Sequence, residues 1–191
     1  VGPFPKNIKL CPSKRINLDD IPLTNLPPYL GIDRALASWS AFKKQSSRTN
    51  NEKDLIIIDA GTILSITKIT KQGEFAGGQL ISGLRLQVSS MVNGALNLKT
   101  PKIHKVPKGT FQYETESAMI RGSINALTGI ILQVFEETKL PIWLCGGDAP
   151  VIINELKNKN IEINYYPNLV LEGMIGIDQN LNQIQDRLES D

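Results

Sequence analysis

Histidine and cysteine are scarce in this chain, with one histidine and two cysteines among 191 residues. Cys11 and Cys145 lie far apart without metal-ligand spacing. That excludes a zinc framework or a disulfide-stapled scaffold and points to a reducing, cytoplasmic setting. Aromatics make up only 6% and the net charge is +2, with the lysines scattered, which argues against a dedicated nucleic-acid binder. No run of about 20 apolar residues offers a membrane span, and no charged-then-apolar leader opens the chain. What remains is an ordinary globular composition, 41% hydrophobic and 21% charged. At this length roughly 70% of the unfolded surface becomes buried without staples.

The organising stretch runs from Asp54 to Gly83. Leu55 to Ile58 is a short apolar run, mostly β-branched, which reads as a buried strand ending at Asp59 and a turn at Ala60-Gly61-Thr62. Ile63 to Ile69 follows as a second strand, with Ile63, Ser65, Thr67 and Ile69 on one face and Leu64, Ile66 and Lys68 on the other. Gln72-Gly73 turns it into a third strand, Phe75 to Ile81. The first bend thus carries a carboxylate, a glycine and a hydroxyl. Backbone N–H groups around Gly61 can approach an anion, while Asp59 and Thr62 can meet a cation or its waters. Without further context the same bend is a plain hairpin.

Before this meander, Val1 to Pro28 is proline-rich, with Ile8 to Leu10 and Ile16 to Leu18 as possible short strands. Ile32, Ala35, Leu36, Trp39 and Phe42 then fall at helical spacing, predicting a helix over 32–44 with Asp33 and Arg34 in its first turn. Gln45 to Lys53 reads as an exposed polar loop. After the meander, Leu84, Val88, Met91, Val92 and Leu96 form a helical stripe. Asn97 to Gly109 is a basic loop holding His104, which reads as solvated rather than catalytic. A long helix is expected from Thr115, its N-cap, to about Glu137, with Ile120, Ile124, Leu127, Ile131 and Val134 buried. Gly122 and Gly129 inside it suggest close packing against another element. Ile142 to Cys145 is a strand leading through Gly146-Gly147-Asp148 to a helix near Pro150, an order suited to a nucleotide-facing corner. Ile161 to Tyr166 and Leu169 to Leu171 add strand material, and Ile177, Leu181, Ile184 and Leu188 form a C-terminal docking helix.

This element order is that of an α/β, actin-like (ribonuclease-H-like) nucleotide-binding lobe. Five blocks in order make the chain resemble the type III pantothenate kinases: GIDR at 31–34, DAGT at 59–62, GGQLISG at 77–83, TESAMIRG at 115–122 and CGGDA at 145–149. NLVLEG at 168–173 extends the likeness, and GIDRALA has the wording of cyanobacterial members. The resemblance implies ATP-dependent phosphorylation of pantothenate, the first step toward coenzyme A. It makes Asp33 the proton acceptor and Gly31, Ile32, Asp33 and Arg34 the pantothenate site. It implies that Asp59 holds a monovalent cation, potassium or ammonium, that Thr62 contacts ATP with its Mg2+, and that Thr115 contacts pantothenate. It also implies a homodimer in which both subunits shape each site. The chemistry suits these residue types, because phosphoryl transfer depends more on positioning and charge neutralisation than on early proton removal. Arg34 can clamp a carboxylate with its planar fork.

The family's Asp-x-Gly-Asn-Thr phosphate loop is missing from these residues, and the chain opens on Val1. The expectation is therefore a first lobe left incomplete: residues 1–48 as its remnant and linker, 54–175 as the second lobe and 176–191 as the docking helix. The 191 residues alone are expected to be a poor kinase. Ser82, Ser65 and Ile63 stand where proline, threonine and alanine are usual, which are packing-scale departures. The competing readings are a non-catalytic actin-like regulatory protein and another kinase or phosphatase of the same superfamily.

Overall fold

The computed structural model describes residues 15–48, 53–102 and 106–188. Five strands make one sheet: β1 Leu55–Ala60, β2 Ile63–Ile69, β3 Phe75–Ser82, β4 Ile142–Cys145 and β5 Ile163–Tyr165, in the order β3-β2-β1-β4-β5. The first three form the antiparallel meander expected from their alternation, and β4 and β5 join β1 in parallel. That strand order and direction are those of a ribonuclease-H-like, actin-like lobe.

Helices cover both faces, so β1 is buried on each side and reads as an unbroken apolar run rather than an alternating one. On one face α2 (Leu84–Gly94), α3 (Thr115–Thr138) and α4 (Ala149–Leu156) pack over Ile56, Ile58, Leu64, Ile66, Ile142 and Leu144. The stripe Ile120, Ile124, Leu127, Ile131 and Val134 supplies the α3 side of that layer. On the other face α1 (Ile32–Ser46) and α5 (Leu169–Leu188) pack over Leu55, Ile57, Ile69, Trp143 and Cys145. By length and composition α3 could cross a bilayer. Here it is a core helix whose buried Arg121 pairs with Glu155 on α4 at 2.6 Å and donates to the Pro107 carbonyl.

Several local expectations change. Leu169 to Leu171 is the start of α5 rather than a strand, because Gly173 does not break the helix but lets it approach α1. A Cβ there would sit 2.9 Å from the Leu36 carbonyl carbon. The boundary expected at 175 therefore falls inside α5. Thr115 is the first helical residue of α3, whose N-cap is Glu114 without a side-chain cap bond. Gly122 and Gly129 pack against nothing among the described residues of this chain, since a Cβ on either meets none of their atoms within 4 Å. Leu96 lies beyond the end of α2 and is 94% exposed. Ile16 to Leu18 is no strand, and a short 3-10 turn over Leu18–Asp20 follows. Gln45 is buried in α1 rather than in an exposed loop. Its side chain accepts from Trp143 Nε1 at 3.2 Å and donates to the Lys53 carbonyl at 2.6 Å. Ile8 to Leu10, Cys11 and His104 lie outside the described residues, as do the side chains of Leu181, Ile184 and Leu188.

Candidate functional site

Cross-strand register builds the floor of the site. Cys145, Asp59, Ser65 and Leu80 are paired in one row across β4, β1, β2 and β3, and Trp143, Ile57, Thr67 and Gly78 in the next. Both rows face the α1 side of the sheet, where polar side chains replace apolar ones toward the end of β1. The N-terminus of α1 meets the sheet here and brings Gly31, Asp33 and Arg34. Together they enclose a cleft of about 650 Å³ lined by Gly31, Asp33, Arg34, Asp59, Gly61 and Thr62, with Ser65, Gly78 and Leu80 on its sheet side.

Each polar group is held by an identifiable contact. Asp33 Oδ1 curls back to accept the Arg34 backbone N–H at 2.8 Å, and a Cβ on Gly31 would sit 2.7 Å from that oxygen. Gly31 thus leaves room for the carboxylate over the helix end, where the helix dipole favours negative charge. The Asp59 carboxyl is pushed up from the ordinary carboxylate range, first by burial and then by the negative charge of Asp33. The Cys145 thiol donates a hydrogen bond to it and opposes that shift. Burial and the charges of Asp59 and Asp33 in turn push the Cys145 thiol far up, so it remains a protonated donor. Arg34 is drawn down from the usual arginine range by burial, against the supporting charge of Asp33.

The glycine blocks act as backing for the turn after β1. The Gly83 N–H donates to the Thr62 carbonyl at 2.9 Å, and a Cβ on Gly83 would collide with the Gly61 carbonyl. On the other side Asp148 N–H donates to the Ala60 carbonyl at 2.9 Å. Gly146, at φ +95°, leaves no room for a Cβ, which would sit 2.5 Å from the Ala60 backbone. The bend itself has no such need of glycine: a Cβ on Gly61 would find ordinary contacts at 3.7 and 3.8 Å.

The fold therefore brings Gly31, Asp33, Arg34, Asp59 and Thr62 into one cleft, while Ile32 turns with the same helix start into the α1 layer. Thr115 is not among them. It lines a separate cleft of about 480 Å³ with Asn97, Leu98, Lys99, Glu114 and Ser117. Sequence reasoning missed Ser65, Thr67 and Cys145 as neighbours of the site. The two hydroxyls were on the correct strand face, but only the β1–β4 pairing sets the thiol opposite Asp59.

A family model described as type III pantothenate kinase matches residues 14–137. The chain belongs to the type III pantothenate kinase family. It is 30% identical to the type III pantothenate kinase of Synechococcus elongatus over 168 residues, covering 85% of this chain and 65% of that protein. It is 32% identical to the type III pantothenate kinase of a Nostoc species over 173 residues, covering 83% and 59%. The chain thus spans just under two thirds of the first of these type III pantothenate kinases. Among solved structures, a Campylobacter jejuni protein assigned to the Baf family of transcriptional activators superposes with a TM-score of 0.62 at 23% identity, covering 87% of this chain and 73% of that one. At that identity the likeness speaks for the fold alone.

Proposed function

We propose that the protein containing this chain transfers the γ-phosphoryl group of ATP to pantothenate, giving 4'-phosphopantothenate in the first step of coenzyme A biosynthesis. The observation that carries this reading is the convergence of two carboxylates from separate motifs, Asp33 and Asp59, on one cleft beside Arg34 and Thr62. In it the primary hydroxyl of pantothenate attacks the γ-phosphorus in line. The new O–P bond forms as the bond to ADP breaks, and Asp33 takes the hydroxyl proton late in the transfer. Gly31 shapes the pantothenate site, Arg34 pairs with the substrate carboxylate through its planar fork, and Thr62 contacts ATP.

Asp59 suits a monovalent cation, potassium or ammonium. It is largely buried and faces the negative charge of Asp33, and no cation is among the described groups that shift it. A cation bound there supplies positive charge toward the phosphates. Mg2+ is assigned to the nucleotide phosphates, where it needs no more than one or two carboxylates from the protein.

A homodimer reconciles the assignment of Thr115 to pantothenate with its separate cleft. Thr115 lines a different cleft from Asp33 and would contact pantothenate only from a second subunit. Tyr29, at the mouth of the Asp33 cleft, is 87% exposed. We further assign residues 54–188, with α5 taken whole, to the second lobe and 1–48 to the remnant of the first. The Asp-x-Gly-Asn-Thr loop missing from these residues then makes the 191-residue chain alone a slow kinase, and the cytoplasm is the compartment expected for it.

The test is pantothenate-dependent ADP release by the full-length protein and its Asp33→Asn variant. The variant should turn over ~10²- to 10⁴-fold more slowly with an unchanged circular dichroism spectrum. Near-normal turnover would remove Asp33 from the role of acceptor, and ADP release indifferent to pantothenate would overturn the reading as a whole.

A further inference from the structure

The GGQLISG block carries no role in the reaction as described, yet its second glycine touches the one cation that faces the cleft from α1. Arg34 leaves the first turn of α1 and lies flat on the sheet. Its Nε donates to Thr67 Oγ1 at 2.5 Å and its Nη2 to the Ile66 carbonyl at 3.0 Å. The guanidinium carbon sits 5.5 Å from the centre of the Phe75 ring. Thr67 is 1% exposed, and its register partner across the strand is Gly78. A Cβ on Gly78 would collide with both the Ile66 carbonyl oxygen and Arg34 Nη2. Just before it the pairing of β2 with β3 is irregular between Thr67 and Ile69, and Gly77 has φ +94°, a combination that marks a bulge. The bulge and the bare Cα at 78 together clear a slot in which the arginine reaches the backbone of β2.

We propose that Thr67 and Gly78 are positioning residues that fix the Arg34 guanidinium so that its remaining donors meet the carboxylate of the phosphoryl acceptor. Arginine has five N–H donors. Two are committed to β2, which leaves three for a ligand. An arginine held by two bonds to a sheet and by an aromatic face loses little further rotamer freedom on binding, and planar two-oxygen recognition depends on that orientation. Thr67 thereby sets affinity for the acid end of the acceptor without touching it. The proposal rests on the reading of Arg34 as the carboxylate partner of pantothenate.

The experiment uses the full-length protein with Thr67→Val, Thr67→Ser, Gly78→Ala and Arg34→Ala. The ligands are pantothenate and the corresponding alcohol, which lacks the carboxylate. Valine keeps the shape of threonine and removes only the acceptor, so Thr67→Val should raise the KM for pantothenate roughly tenfold, the loss expected for one hydrogen bond to a charged group. The KM for ATP and the handling of the alcohol should stay at the parent values, and Thr67→Ser should restore pantothenate binding. Gly78→Ala should show the same selectivity for the acid over the alcohol.

If Arg34→Ala weakens pantothenate while Thr67→Val and Gly78→Ala match the parent, the positioning proposal is overturned and the reading of Arg34 stands. If Arg34→Ala leaves pantothenate binding unchanged, the reading of Arg34 itself fails and takes the proposal with it. Equal losses for acid, alcohol and ATP in Thr67→Val, or no rescue by serine, would make Thr67 merely structural and overturn the proposal.

Discussion

Glycine-to-alanine exchange should change sign between two helices of this protein, and the reason lies wholly in tertiary contact. In an open helix position alanine is worth about 1 kcal/mol over glycine. Gly122 and Gly129 on α3 have nothing within 4 Å of a built Cβ, so Gly122→Ala and Gly129→Ala should each stabilise by up to about 1 kcal/mol. Gly173 on α5 lies against α1, where a Cβ would sit 2.9 Å from the Leu36 carbonyl carbon, closer still to its oxygen, and 3.2 Å from its Cβ. Because the obstacle is backbone, α5 must back away by about 1 Å, an overpacking that costs about 1–3 kcal/mol. Set against the helix gain, Gly173→Ala should lose up to about 2 kcal/mol net. For a chain of this size that is a melting temperature lower by up to roughly 8 °C, against a rise of about 2–4 °C for each α3 variant. Thermal and urea unfolding followed by circular dichroism reads both signs. Leu36 is close along α1 to Asp33 and Arg34, so Gly173→Ala should also weaken pantothenate binding in the full-length protein. A Gly173→Ala chain that gains as much stability as the α3 variants would refute the packing argument. A loss of stability in Gly122→Ala or Gly129→Ala would refute the claim that this face of α3 is open.

Other expected outcomes concern buried polar groups and the proposed substrate site. The folded state holds the Asp59 carboxyl above its ordinary range. Its contribution to stability is therefore complete below the unfolded value, near 3.9, and is lost as pH rises through the raised value. In low-cation buffer, urea midpoints of parent minus Asp59→Asn should fall across that window, and a flat difference would contradict the burial of Asp59. Gln45→Leu removes the partner of the buried Trp143 indole N–H and should cost about 1–3 kcal/mol in urea unfolding. A change under 0.5 kcal/mol, within ordinary surface scatter, would mean that the indole finds another acceptor. Thr115→Ala should leave the melting temperature unchanged, because Thr115 makes no cap bond. It should weaken pantothenate binding in the full-length protein by ~0.5–1.5 kcal/mol, and an effect on ATP alone would contradict its assignment to pantothenate.

Much of the scaffold was legible because the relevant signals are local. The alternation of β2, the β-branched run of β1 and the 3.6-residue stripe of α3 each follow from which side chains must leave water, whatever the rest of the chain does. Glycines were harder to read. Gly173 looked like the end of a strand and is instead a crossing point of two helices, whereas Gly122 and Gly129 looked like packing sites and face open space. A missing side chain leaves no trace in the sequence of what fills its place. Gln45 was misread for a related reason, since its polarity suggested a loop and only the indole of Trp143, 98 positions away, makes its burial affordable.

The sequence by itself determined most of the strands and helices, the family, and the residue types available for phosphate, cation and carboxylate chemistry, because periodicity and motif wording are properties of neighbours along the chain. Only the tertiary structure decided that the start of α1 and the end of β1 share a cleft, that Thr115 does not open onto it, and that Thr67 and Gly78 hold Arg34. Those facts depend on strand register and helix crossing, which are set by contacts between residues distant in the chain and are invisible until the sheet is assembled.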